Sequence, residues 1–400
     1  MGIKYIKIRL ETRHALSLRM SGLLILFLLL FSPILKGQEK DSTEKTLSLL
    51  FVGDIMGHDT QIASAYDPGT GKYDYTSVFQ FIKPVLSEPD ITIANLEVTL
   101  AGPPYKGYPQ FSSPAALAEA CANAGIDYFV TANNHAADRG GQGILSTIQK
   151  LDSMGIPHTG SYRNAAERDS LSPSIIMKNG FTLALLNYTY GTNGLKVPKP
   201  LIVDSLDRNL ISRDILKAKK KKPDAVILFL HWGTEYDTVP GPAQTQLAEF
   251  CLASGADLII GSHPHVIQKM VWSKEPGKKD NIIAYSLGNF ISNQRRPKTD
   301  GGSLVRIELT KKADSVFVSN AGYYLSWVYT PVEDLKLRFY ILPCSQFEKR
   351  PGYFNSDSSR RQMTKFINDA RLLLNTQNKG IGEYIFDGEK WILDFPGKNE

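Results

Sequence analysis

Six short apolar runs in this sequence each stop at a cluster of Gly, Asn, Asp, Glu or His, and that recurrence constrains the fold more than any other feature. They are Leu47–Val52 before Gly53-Asp54, Ile91–Ala94 before Asn95-Leu96-Glu97, and Tyr128–Thr131 before Asn133-Asn134-His135. Further on come Ala225–Leu230 before His231-Trp232-Gly233, Leu258–Ile260 before Gly261-Ser262-His263-Pro264-His265, and Ile282–Tyr285 before Gly288-Asn289. Apolar runs without polar alternation, bounded by such residues, read as strands buried on both faces. Helical patterns lie between them at Ser77–Leu86, Pro114–Ala124, Ile144–Met154, Asp207–Lys221 and Pro242–Ala253. Strand and helix in alternation predict an α/β domain with a largely parallel, buried sheet. Asn179-Gly180, between Ser174–Lys178 and Phe181–Tyr188, predicts a hairpin.

The chain also resembles itself. Leu117-Ala118-Glu119, Cys121, Gly125, Asp127 and His135 recur as Leu247-Ala248-Glu249, Cys251, Gly255, Asp257 and His265, at a constant offset of 130 residues. Each copy reads as helix, glycine turn, buried strand and then a histidine, which predicts two equivalent units placing imidazoles at one sheet edge. From about Ser303 the pattern changes. Ser303–Leu309 and Ser315–Asn320 predict a hairpin, Tyr323–Pro343 is aromatic and β-rich, and Asp357–Leu374 is helical. The expected organisation is a main domain over 46–310 and a β-rich C-terminal extension over 311–400, packed on it. The run Lys217–Lys222 is a solvated helix end, where cations suit the dipole.

Charge separates the leader from the body. The chain has 46 Lys+Arg, 40 Asp+Glu and a net charge of +6, but residues 1–37 carry six of the bases and only one acid. The remainder is left near neutral, at +1. A nucleic-acid binder carries a basic domain rather than a basic leader, so no nucleic-acid partner is expected. Within the leader, basic residues precede the apolar run Gly22–Leu35. The run is shorter than the ~20 residues of a spanning helix and reads as an export signal or an uncleaved anchor. Either places the body outside the cytoplasm, after a polar linker ending at 45. Cys121, Cys251 and Cys344 share no C-x-x-C spacing, so buried apolar thiols are expected rather than a disulfide scaffold or metal ligands.

Of the seven histidines, five follow predicted strands: His58, His135, His231, His263 and His265. Asp54, Asn95, Glu97, Asn134 and Asn289 occupy equivalent places. Ligands of open α/β sheets bind beyond the carboxyl ends of strands. Imidazole with carboxylate and amide oxygen suits Zn, Mn or Fe, whereas an all-oxygen set suits Mg or Ca. His263-Pro264-His265 serves one metal only if the loop curls, and otherwise two adjacent ones.

These motifs carry a resemblance. GDIMGHD (53–59), NLE (95–97), NNHAAD (133–138), HWGTEY (231–236), GSHPHV (261–266) and SLGNF (286–290) resemble, in order, those of CapA-type capsule biosynthesis proteins. These are the poly-γ-glutamate synthesis proteins, a branch of the calcineurin-like metallophosphatase superfamily. The resemblance implies a four-layer α/β/β/α sandwich with its site at the top of two sheets. It implies Asp54 and His265 as ligands of a first metal and Glu97 as a bridging carboxylate. Asn134, His231 and His263 would hold a second metal, and His135 would be the general acid or oxyanion partner, kept off the metals. The family's first motif is Asp-x-His, whereas here Asp54 is followed by Ile55-Met56 and His58 comes later; the bridge is Glu97 rather than Asp, and Asn133 replaces a glycine. One or two divalent ions (Mn, Zn or Fe) are therefore expected, or metal-free acid–base chemistry by His58, Glu97 and His135.

Around this core, Lys106 and Tyr108, Arg139, Glu235, Asn289, and Arg295-Arg296 are candidates for substrate contacts. Arginine clamps carboxylates in bidentate fashion. Asp138 and Glu235 are candidates to orient imidazoles. The resemblance implies an exported protein that makes or processes a poly-γ-glutamate capsule, by metal-dependent hydrolysis or transfer on an anionic polymer or peptide. Membrane-bound capsule synthase subunits are its implied partners. The alternatives are a non-catalytic, polymer-holding subunit of such a synthase and a metal-independent peptide epimerase.

Overall fold

The computed structural model describes residues 44–274, 279–313 and 315–395. The expected export segment (1–37) and residues 38–43 of the expected linker lie outside them. The first group of strands is β1 (Lys45–Ile55), β2 (Ile91–Leu96), β3 (Tyr128–Val130) and β4 (His158–Thr159). Helices α1 (Lys83–Ser87), α2 (Ala116–Asn123) and α3 (Gly140–Ser153) lie between them. A hairpin follows, β5 (Ser174–Lys178) and β6 (Phe181–Thr189), turning at Asn179-Gly180 with both residues at positive φ. Next come α4 (Arg208–Lys220), β7 (Ala225–His231), α5 (Pro242–Ser254), β8 (Leu258–Ser262), β9 (Met270–Ser273) and β10 (Asn281–Ala284). The chain closes with β11 (Asn289–Ile291), β12 (Gly301–Lys312), β13 (Ser315–Tyr329), β14 (Tyr340–Pro343), α6 (Asp357–Gln377), β15 (Gly382–Phe386) and β16 (Trp391–Asp394).

Among the described residues two large sheets form. The first runs β16-β15-β13-β12-β1-β2-β3-β4, with β11 on β1 and β14 on β13; the second runs β9-β10-β8-β7-β6-β5. Strands β1 to β4 pair in parallel, as do β6, β7, β8 and β10. Residues beyond 310 continue the first sheet, because β13 pairs antiparallel with β12 along nearly its whole length.

Side-chain alternation along each strand then stacks the layers. Leu47, Leu49 and Phe51 of β1 meet Phe181, Leu183, Ile227, Phe229 and Ile260 in a core between the sheets. Leu50 and Val52 point the other way, onto Val85, Leu86, Leu117 and Cys121 of the helices over the first sheet. Leu186, Leu228 and Ile259 similarly pack outward on Ile211, Ile215, Leu247 and Cys251. Helix, sheet, sheet, helix is the four-layer sandwich, and burial of both strand faces is why the runs lack polar alternation. The three cysteines are buried and unpaired. Among the described residues, no helix is long and apolar enough to cross a membrane.

Two sequence expectations need correction. The helical pattern Ser77–Leu86 is a 3-10 turn over Thr76–Phe79 and the separate short helix α1. Pro84 explains the break, since it has no N–H for a continuous helix and fits only the first turn. The internal repeat is real, but its units do not share a sheet edge: β3 is in the first sheet and β8 in the second. The reason is that the first parallel run ends at β4 and the β5–β6 hairpin starts a new sheet. Local bonding is nonetheless duplicated. Ile126 N–H donates to Cys121 O at 3.1 Å, and Ala256 N–H to Cys251 O at 3.0 Å. Asp127 and Asp257 accept, through Oδ2, from the N–H of Thr92 (2.8 Å) and Val226 (2.7 Å). Gly125 and Gly255 sit at φ 118° and 109°, where a side chain would be strained.

One polar side chain ties the sheets together. Asn187 of β6 accepts from Ala132 N–H at 2.6 Å, just past β3 on the opposite sheet, and donates to Phe229 O at 3.0 Å. Asn187→Ala leaves those backbone groups unpaired in a dry seam. It is expected to lower the unfolding free energy by about 2–3 kcal/mol, read as a reduced urea midpoint at unchanged slope.

Candidate metal centre

The strand ends meet at one edge of the seam. The first sheet supplies Asp54 at the end of β1, Asn95 and Glu97 at the end of β2, and Asn133, Asn134 and His135 just past β3. The second supplies His231, the last residue of β7, and Ser262, His263 and His265 from β8 and the turn after it. Asp54 is set by a bulge in β1, where its N–H donates to Gly288 O at 3.0 Å. His263 and His265 both adopt positive φ, 98° and 58°. The loop therefore curls, which brings both imidazoles of His263-Pro264-His265 to the same side. Such backbone costs of order 1–3 kcal/mol per residue and survives where surrounding structure enforces it.

Asp54, Glu97, Asn134, His231, His263 and His265 are all essentially inaccessible to solvent. Asp54 Oδ1 accepts from Asn95 Nδ2 at 2.8 Å, and its Oδ2 lies 3.1 Å from His265 Nδ1. Asn289 Oδ1 also lies 3.1 Å from that nitrogen. Two oxygen acceptors fix the proton on Nδ1 of His265, leaving Nε2 free as a donor atom 3.9 Å from Glu97 Oε1. His231 Nε2 lies 3.4 Å from the same carboxylate oxygen and 2.8 Å from Asn134 Oδ1. Its Nδ1 faces Ser262 Oγ at 2.9 Å.

Two overlapping triplets have ligand atoms within 4.8 Å of one another: Glu97 with His263 and His265, and Asp54 with Glu97 and His231. Glu97 belongs to both, as a bridging group must. Glu97 Oε1 and His263 Nδ1 are buried and have no hydrogen-bond partner. A buried carboxylate oxygen and a buried imidazole nitrogen without partners are each costly, and a bound cation would satisfy such atoms. Electrostatics agree. Burial, and then Asp54 beside it, push the Glu97 carboxyl well above its ordinary range. Burial pushes the His231 imidazole well below its ordinary range, and that of His263 down to about 3, with His265 adding to both. His231 and His263 are thus kept neutral beside the two carboxylates, a donor set that fits a divalent ion.

His135 stands apart from the triplets. Its Nδ1 lies 2.7 Å from Asp138 Oδ2, which also accepts from Phe111 N–H at 2.7 Å. Nδ1–H therefore points at the carboxylate, and Nε2 is the atom left for chemistry. The Phe111 ring stands edge-on to His135 at 4.7 Å and to His58 at 5.3 Å. His58 belongs to neither triplet. Its Nδ1 accepts from Asn293 N–H at 3.2 Å, and burial drives its imidazole down to about 4. It does not replace the histidine missing from the first motif.

The outer candidates separate clearly. Lys106 and Tyr108 are exposed on a loop over Phe111, and Arg139 donates to Pro104 O at 2.7 Å within that loop system. Glu235 is exposed beside Tyr236. Asn289 is buried, and its amide nitrogen donates to Gln294 Oε1 and Thr299 O, so it braces His265. Arg295 donates to Asn293 Oδ1 and Val328 O. Sequence reasoning missed Tyr190, whose ring lies 4.5 Å from that of His263 and stacks on His231 at 6.3 Å. It also assigned no role to Tyr236, 6.3 Å from the His265 ring. Tyr190 follows the end of β6, a strand-end position like the others, and that was its available signal.

The chain is similar to known proteins over most of its length. The model of the bacterial capsule synthesis protein PGA_cap matches residues 48–294. The capsule biosynthesis protein CapA of Bacillus anthracis is 30% identical over 290 residues, covering 69% of this chain and 67% of that protein. The PGA biosynthesis protein CapA of Bacillus subtilis (strain 168) is 29% identical over 310 residues, covering 73% and 77%. Among solved structures, the calcineurin-like phosphoesterase YfkN of Bacillus subtilis matches with TM-score 0.43 and 15% identity, covering 82% of this chain and 98% of that one.

Proposed function

The chain belongs to the bacterial capsule synthesis protein family, and on that premise we propose that it is a metal-dependent enzyme acting outside the cytoplasm on an anionic capsule polymer. The reaction class is hydrolysis or transfer at an amide or phosphoester, and poly-γ-glutamate is the polymer suggested by the PGA biosynthesis protein among its relatives. The observation that carries this reading is the orphaned, buried pair Glu97 Oε1 and His263 Nδ1 among Asp54, His231 and His265. Buried, unpartnered ligand atoms suit a metal centre better than a surface that only holds polymer.

Asp54, Glu97, Asn134, His231, His263 and His265 would hold the metal. A bound divalent ion supplies an activated water and stabilises developing negative charge. The protein's own groups do the rest. Asp54 and Asn289 fix the His265 tautomer, and the Asp138 carboxylate orients His135 so that Nε2 delivers a proton to the leaving group. Asp138 also stabilises the imidazolium that precedes transfer.

Elemental analysis of unstripped full chain should find stoichiometric Mn, Zn or Fe. His135→Asn should leave that metal content intact while lowering kcat on γ-glutamyl oligomers by about 10²–10³-fold. Absence of metal across independent preparations, or unchanged kcat in the variant, would overturn the reading.

A further inference from the structure

The family match ends at residue 294, and a cationic groove begins immediately after it. A cavity of about 180 Å³ lies between residues 295–300 and helix α6, lined by Arg295, Arg296, Lys298 and Lys365 together with Asp300 and Asp369. Asp300 accepts from Trp327 Nε1 at 2.7 Å and Asp369 pairs with Lys365 at 3.0 Å, so the lining's four cations outnumber its two acids. Arg296 is exposed, and among the described residues no carboxylate forms an ion pair with it. Its guanidinium lies 3.9 Å over the Tyr236 ring, a cation–π contact that holds it in place without neutralising it.

That arginine is braced from the metal centre along two routes. Tyr236 N–H donates to Pro264 O at 2.8 Å, inside the His263-Pro264-His265 turn, and Tyr236 adopts φ 70°. On the other side, Thr299 N–H donates to Arg296 O at 3.1 Å, and Thr299 O accepts from Asn289, the residue bonded to His265. An unneutralised arginine, held at its guanidinium by Tyr236 and at its backbone by Thr299, is a built position for an anion. Helix α6 supplies the far wall: Met363, Phe366, Ile367, Ala370 and Leu374 form its buried stripe, which turns Lys365 outward to the groove.

We infer that this groove is a subsite for a carboxylate-bearing residue of a linear polyanion, one step along the chain from the bond held at the metal centre. The inference rests on the polymer reading above and extends it to the C-terminal segment, which lies outside the family match. Repeating carboxylates suit it because Arg296 offers a bidentate fork and the exposed Lys298 a point charge in the same lining, while Lys365, paired with Asp369 at 3.0 Å, can exchange that partner for a substrate carboxylate.

The test is binding of fluorescein-labelled penta-γ-glutamate to metal-loaded full chain, followed by anisotropy, with single labelled glutamate as the short probe. Lys298→Glu/Lys365→Glu is expected to raise the pentamer Kd by about ten-fold or more, and Arg296→Ala by a similar factor. Both variants should keep wild-type metal content, and neither should change binding of the single residue. Lys365→Arg, which keeps the charge, should bind the pentamer like wild type. Wild-type pentamer affinity in the folded double variant overturns the groove and leaves the metal-centre reading standing. No pentamer binding by the wild-type chain overturns both.

Discussion

Glu97→Gln is expected to strip stoichiometric metal from the purified protein and to cut turnover by about three orders of magnitude. No other side chain belongs to both ligand triplets, and the amide that replaces it brings neither the charge nor the second anionic oxygen. The same substitution should stabilise the protein in chelator. Burial and Asp54 hold the Glu97 carboxyl well above its usual 4.5, so the metal-free native state keeps a proton that the unfolded chain has released. Stability from that proton is complete below about pH 4.5 and declines as pH rises toward the folded value, by about 1.4 kcal/mol per pH unit. His231 and His263 act in the opposite direction. Their folded values lie below 6.5, so their contribution is present above about pH 6.5 and is lost as pH falls below it. Metal-free wild type should therefore be most stable near about pH 6.5. Denaturation midpoints in chelator, taken from acid to mildly alkaline pH, should lose the alkaline decline in Glu97→Gln and keep the acid one. Matching alkaline declines in the two proteins would contradict the assignment of that proton to Glu97.

The largest stability effect is expected at Gly261→Ala. A Cβ there would lie 2.0 Å from Tyr285 O and 2.4 Å from Trp232 Nε1, which are themselves hydrogen-bonded at 2.9 Å. One obstacle is backbone and the other a buried indole, so neither yields without moving β8 against its neighbours. A loss of about 3 kcal/mol or more is expected in the unfolding free energy, with weakened metal binding, because His263 is two residues further along the same backbone. Gly191→Ala is the control, since a Cβ there meets nothing within 4 Å. A Gly261→Ala protein with wild-type midpoint would show that the end of β8 can shift freely.

How much of this was legible in the chain follows from where each group sits. The parallel strands were legible because both faces of each are buried, which removes polar alternation and leaves runs such as Ala225–Leu230. His231, His263, His265 and Glu97 were legible because parallel strands deliver their terminal residues to one edge. Sheet membership was not. The repeat predicts a shared edge for His135 and His265, and only long-range pairing shows that their strands lie on opposite sheets. Asn289 reads in sequence as a substrate contact, yet its amide is used up inside the fold, which follows from Thr299 and Gln294 rather than from its own position. Arg296 and Arg295 are indistinguishable as a dipeptide. What separates them is that one donates inward to Val328 O and the other rests on Tyr236.

The centre draws Asp54, Glu97 and Asn134 from one sheet and three histidines from the other, at the seam that Asn187 also crosses. An ion held there would act as a rivet through the sandwich. Each sheet supplies only half of that set, so parting the layers would strip the ion of half its ligands at once. Scarcity of metal would then reach such a protein first as a mechanical loosening of its two halves.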